Sequence, residues 1–194
     1  MATLALAGAQ PAQAIVFWDE VTLYLTHATY NPGNTVDTTF YFGSRPAVDL
    51  SSFDFTLTWD NALATPVASG PGSVAEWTAA LSSKGNASYG QAGPQVIKGG
   101  WTADPLGGSA SFISTSYSNL KWAVFAFETS PALNVPFVVS IELTNIKDST
   151  GDVMDLGSGF INWATITPVP EPAGWAGLLC GLAMLTRLRN TARS

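Results

Sequence analysis

Phe53, Phe55, Leu57 and Trp59 alternate with Asp54, Thr56 and Thr58, so every second side chain in this stretch is apolar. A period of two sends those four residues to one face of a strand and leaves the polar ones in water. The alternation returns from Val135 to Leu143, where Phe137, Val139, Ile141 and Leu143 are set against Ser140 and Glu142. Further predicted strands cover Phe17 to Leu25, Thr35 to Phe42, Ala110 to Thr115, Leu120 to Glu128 and Phe160 to Ile166. Turn formers punctuate them at Asn31-Pro32-Gly33-Asn34, Ser69-Gly70-Pro71-Gly72, Leu106-Gly107-Gly108 and Asp148-Ser149-Thr150-Gly151. Seven or more short strands so spaced predict an all-β domain, an antiparallel β-sandwich, over residues 15–167. Glu76 to Leu81 fits a helical turn or a strand and is expected as loop or short helix.

Composition agrees. Only 11% of the residues are charged and 46% are hydrophobic, with 18 Gly and 12 Pro, which suits strands and turns better than solvent-facing helices. The formal charge of −6 hides an asymmetry, because Arg187, Arg189 and Arg193 crowd the end. Taking these three from the 8 basic residues leaves 5 against 14 acidic ones, a balance of −9. No basic stripe remains to neutralise phosphates, so nucleic-acid binding is excluded. Cys180 is the only cysteine and lies in the last stretch, so the body forms no disulfide or thiolate metal site.

Both ends read as targeting segments. Residues 1–14 hold an apolar stretch, Leu4 to Ala9, and the small-x-small triplet Ala12-Gln13-Ala14 read by signal peptidase. No basic residue precedes it, so it reads as a partial signal peptide. Residues 168–194 carry Pro170-Glu171-Pro172, then an uncharged run from Ala173 to Leu185, then Arg187, Arg189 and Arg193. The prolines hold Glu171 extended, where an enzyme can read it. As a helix the run covers roughly 20 Å of a ~30 Å hydrocarbon core, and snorkelling arginines extend it. The same arginines favour a cytoplasmic C-terminus.

Val169 to Arg193 resembles the PEP-CTERM sorting signal, with its Pro-Glu-Pro motif, short hydrophobic helix and terminal arginines. The resemblance implies that an exosortase processes the chain at Pro170, Glu171 and Pro172, with Arg187, Arg189 and Arg193 as the membrane stop. It implies an inner-membrane precursor of a Gram-negative bacterium, released to the cell surface or extracellular matrix. The arginines are spread more widely here than the family usually packs them, and Cys180 interrupts the run.

The body has a family look of its own. Pro32-Gly33-Asn34-Thr35-Val36, then Val48-Asp49-Leu50 leading into Phe53 to Asp60, resembles the start of cohesin-like domains. Trp122 to Glu128, Ile141-Glu142-Leu143 and Asp148 to Asp152 fit their closing strands. The implied fold is a jelly-roll sandwich, to which carbohydrate-binding domains are related.

Catalytic sets are missing from the sequence. His27 is the only histidine, which rules out a multi-histidine zinc site, and no phosphate-loop or dinucleotide motif occurs. Asp54, Asp60, Asp104, Glu128 and Glu142 fall on strand faces and turns and read as solvated carboxylates. Asp148, Asp152 and Asp155 crowd one turn and are weak calcium candidates, because their spacing departs from the EF-hand loop. Trp77 and Trp101, in loop-like and glycine-rich surroundings, are candidates for stacking on sugars. No cofactor is expected. The reading is a non-enzymatic exported structural or interaction protein, with binding of extracellular polysaccharide as the alternative.

Overall fold

The computed structural model describes residues 20–45, 47–108, 112–115, 121–153 and 160–169. The leader at 1–14, the tail from Pro170 through Arg193 with its expected helix, and Asp155 lie outside the described residues. Among the described residues eleven strands and one helix follow in order: β1 Glu20–Leu25, β2 Ala28–Tyr30, β3 Thr35–Arg45, β4 Asp49–Trp59, β5 Ala64–Pro66, α1 Val74–Ser82, β6 Gly85–Gly93, β7 Val96–Ala103, β8 Ile113–Ser114, β9 Lys121–Thr129, β10 Phe137–Asp148 and β11 Phe160–Pro168. No helix among the described residues is long and apolar enough to cross a membrane.

Two sheets form the expected sandwich. The smaller runs β1-β3-β9-β5 and the larger β2-β11-β10-β4-β7-β6, with β8 beside β4. All pairings are antiparallel except β2 with β11. The alternation places the core as the sequence dictates. Phe53, Phe55, Leu57 and Trp59 of β4, and Phe137, Val139, Ile141 and Leu143 of β10, are buried against Phe40 and Phe42 of β3 and Phe125 and Phe127 of β9. Late in β10 the buried parity moves from odd positions to Ile146, because Asn145 takes a left-handed conformation (φ 51°) in a β-bulge.

The ambiguous segment around Glu76 is helical, and its start explains why. Ser73 Oγ accepts the Glu76 N–H at 3.0 Å, while Glu76 Oε2 accepts the Gly72 N–H at 2.8 Å. The two bonds occupy a Ser-x-x-Glu frame in which the glutamate reaches one residue past the cap, to Gly72, while the Ser73 N–H donates to the Gly70 carbonyl. The helix drives Trp77 between the sheets, its ring centroid 4.7 Å from Phe55 and 5.5 Å from Phe125.

At the seam where the sheets meet, Asn162 of β11 reaches the edge of β1. Its Oδ1 accepts the Leu25 N–H and its Nδ2 donates to the Leu23 carbonyl, both at 2.9 Å. One amide thus stands in for a missing strand neighbour.

Candidate functional site

The structure corrects the sugar-stacking assignment. Trp77 and Trp101 are only 6% and 1% exposed, so neither offers a ring face to a ligand. Trp101 stands on the inner face of β7 opposite Phe53, and its indole N–H donates to the Leu81 carbonyl at 3.0 Å. Gly99 and Gly100, which made this region look like a loop, are strand residues with a packing task. A Cβ on Gly99 would come within 2.5 Å of the Phe55 ring, and one on Gly100 within 2.6 Å of Asp54 Oδ1. Glycine here admits a neighbour's side chain.

Asp148 and Asp152 share the turn expected of them. Asp148 Oδ1 accepts from the Thr150 N–H at 2.8 Å, the Thr150 hydroxyl at 2.6 Å and the Asp152 N–H at 3.0 Å. Partial desolvation pushes the Asp148 carboxyl up, but the donors from Thr150, Asp152 and Gly151 outweigh it and leave the group below its ordinary value. This oxygen is engaged by its own turn. No group of three metal-ligating side chains occurs among the described residues.

Of the remaining carboxylates, Glu128 belongs to the small sheet, whereas Asp54 of β4 and Glu142 of β10 are diagonal neighbours on the outer face of paired strands. Asp60 Oδ1 accepts the Val138 N–H at 2.7 Å, and Asp104 Oδ1 accepts the Leu106 N–H at 2.9 Å. His27 is exposed and structural, with Nδ1 accepting the Thr165 N–H at 3.0 Å.

What remains is the outer face of the large sheet. Its register aligns Ile161 and Trp163 of β11, Ser140 and Glu142 of β10, Thr56 and Thr58 of β4, and Lys98 of β7. Ile161 and Trp163 are 60% and 58% exposed, whereas Asn162 between them points inward. The Trp163 ring is met edge-on by His27, with centroids 6.2 Å apart. Toward β6 the face sinks into a shallow open groove of about 590 Å³ over Gly90 and Gly100, rimmed by Asp54, Asn86, Ser88 and Lys98. Asp54 Oδ2 accepts from Asn145 Nδ2 at 2.6 Å, which fixes the rim. No described helix covers this face, since α1 packs its tryptophan into the core. The signal for the exposed aromatic was present in the sequence: Phe160, Ile161, Trp163, Ala164 and Ile166 are apolar at both parities, one more apolar face than a half-buried strand needs.

No protein-family model matches the chain, and no curated protein matches its sequence. Solved structures do match its fold. A type I cohesin–dockerin complex from Clostridium thermocellum aligns with a TM-score of 0.55 and 14% identity, over 77% of this chain and 99% of that one. A second such complex from the same organism gives 0.54 and 15%, over 77% and 94%. A non-cellulosomal cohesin from the archaeon Archaeoglobus fulgidus gives 0.52 and 16%, over 81% and 97%. The described residues are thus folded as a cohesin-like β-sandwich, at a sequence distance where likeness establishes architecture alone.

Proposed function

We propose that the protein is an exported, non-enzymatic docking module that presents the outer face of its large sheet to a protein partner. The observation that carries this reading is the exposed Ile161–Trp163 pair on a broad sheet face with few charges. An exposed tryptophan beside small hydroxyl side chains has the composition of an interface centre, where aromatics are enriched and charges depleted. Two of the structural neighbours are cohesins in complex with dockerins, which supports a protein partner for this fold.

Delivery to the surface belongs to the same proposal. Signal peptidase acts at the leader and an exosortase at Pro170 to Pro172, after the apolar run has held the precursor in the inner membrane. Mass spectrometry of the mature protein tests this, and a C-terminus still at Ser194 in cells with active exosortase refutes it.

A photo-crosslinking residue at position 163 or 140, in the producing cells, should trap a discrete partner that the same residue at Tyr24 of the small sheet does not. Equal trapping from both sheets would remove the large sheet from the proposal. An indole near Ser140 and Glu142 also suits a sugar ring, so extracellular polysaccharide is the second reading. Affinity electrophoresis through that polysaccharide, with Trp163→Ala alongside, separates the two.

A further inference from the structure

The ends of the sandwich differ, and the tail leaves from one of them. Tyr30, Trp59, Thr129, Phe137 and Pro168 all lie where β2, β4, β9, β10 and β11 meet loops 31–34, 60–63 and 130–136 and the 93–95 turn. The Val169 N–H donates to the Tyr30 carbonyl at 2.8 Å, which fixes the exit point. Leu63, Val135 and Val169 are 46%, 50% and 41% exposed there. Those four connections carry a single charged residue, Asp60. The opposite end carries Lys84, Asp104, Lys147, Asp148 and Asp152. This end, with Asp60 as the one charge of its connections, is also firmly built, since the buried Tyr30 hydroxyl donates to the Val135 carbonyl at 2.8 Å.

From the uncharged exposed apolar residues around the point where the tail departs, we infer that this loop end rests on the lipid surface while the tail is inserted. The inference deepens the proposed sorting role and rests on it. Only residues 170–172 separate Val169 from the apolar run that begins at Ala173. Fully extended, that link spans roughly 14 Å between the Cα atoms of Val169 and Ala173. The headgroup layer takes about 5–7 Å of it, half the difference between a ~30 Å core and a 40–45 Å bilayer. The sandwich therefore has at most roughly 9 Å of slack, less than its own thickness of two sheets about 10 Å apart. At such range the opposite end would have to desolvate several charges, whereas here Asp60 is the one charge of the four connections, with Oδ1 on the Val138 N–H, and Leu63, Val135 and Val169 gain by leaving water.

The experiment uses the full chain with Cys180→Ala, so that each of Leu63→Cys, Val135→Cys and Leu106→Cys carries one thiol for an environment-sensitive dye. Leu106, 94% exposed at the opposite end, is the control. It stands about 35 Å away, the length of an eleven-residue strand. Asn134→Cys, also exposed, reports on the same end as Leu63 should an apolar replacement disturb its loop. Proteins are inserted into vesicles of phosphatidylethanolamine and phosphatidylglycerol containing a headgroup-spin-labelled lipid, and insertion is scored by flotation. Dyes at 63 and 135 should lose emission at least about twofold, with the dye at 106 unchanged, because the quencher lies in the headgroup layer. Flotation without quenching at 63, 134 and 135, or with equal quenching at 106, overturns the orientation while leaving the tail reading intact. Failure to float overturns both.

Discussion

Asn162 makes the sharpest demand on the structure. β1 is an edge strand of the small sheet, so its groups facing away from β3 have no ladder partner. Asn162 supplies both an acceptor for Leu25 and a donor for Leu23 from the other sheet, at 2.9 Å each. Each bond contributes a net ~0.5–1.5 kcal/mol. Both are partly buried, so water replaces them imperfectly in Asn162→Ala, and the expected loss is about 2 kcal/mol. With a urea m-value of about 2 kcal/mol/M, the midpoint falls by roughly 1 M. Equilibrium unfolding followed by tryptophan fluorescence measures it.

Asn162→Asp adds a sign to the test. Its carboxylate still accepts from Leu25, but the second oxygen confronts the Leu23 carbonyl where a donor stood. Protonation restores a donor, so the folded state binds that proton more tightly and the folded pKa lies above the unfolded value of about 3.9. The group's stabilising contribution is full below the unfolded value and is lost as pH rises through the folded one. Asp should therefore be worse than Ala at pH near 7 and gain on it as the solution is acidified. A midpoint for Asn162→Ala within about 0.5 kcal/mol of the parent, or an Asp variant that gains nothing on Ala in acid, refutes the account.

Other positions give simpler outcomes. Gly99→Ala must push a methyl into the Phe55 ring and the Ser88 carbonyl, 2.5 and 2.4 Å from its Cβ, and should cost about 1–3 kcal/mol or more in urea unfolding. Trp101→Phe gives up the indole bond to the Leu81 carbonyl, which keeps only the Lys84 N–H, whereas Trp59→Phe removes a buried indole N–H that has no protein partner, so the first should cost more by about 1 kcal/mol. Trp163→Ala should abolish partner crosslinking while moving stability by no more than about 0.5 kcal/mol, because the ring is mostly in water. Asp148, held below its ordinary value, stabilises the fold above the unfolded carboxyl range, and this is lost as pH falls through the lowered value. Asp148→Asn should flatten that acid limb of the stability profile.

How much of this was legible depended on whether the side chains carried a period. β4 and β10 state their burial outright, and the sandwich follows from them. β6 and β7 do not: Gly-Asn-Ala-Ser-Tyr-Gly-Gln-Ala-Gly has no alternation, and Gly99 and Gly100 break that of its partner. Their pairing is set by tertiary fit to Phe55 and Asp54, which local propensity does not encode. The same gap misplaced Trp101, whose glycine neighbours resemble a loop and are in fact clearance for a ring. Trp77 was recoverable, since Ser73 and Glu76 spell a capping box ahead of it. β11 hid its facing differently. Either parity offered an apolar set, and the buried one is that containing Asn162, because its amide meets β1.

That choice of parity is what gives the sheet something to offer. Had Trp163 taken the inner face, the β1 edge would lack its amide partner and the outer face would lack its exposed ring. One register thus closes the seam and exposes the aromatic, and a one-residue slip would undo both. The proposed docking face and the proposed lipid-facing end are then compatible by geometry. Trp163 projects across the strands, whereas Leu63 and Val135 lie beyond strand ends, so a module standing on the bilayer by its loops keeps its large sheet open to partners. Release by cleavage at Pro170 to Pro172 would then change what the loop end touches and leave the docking face as it was.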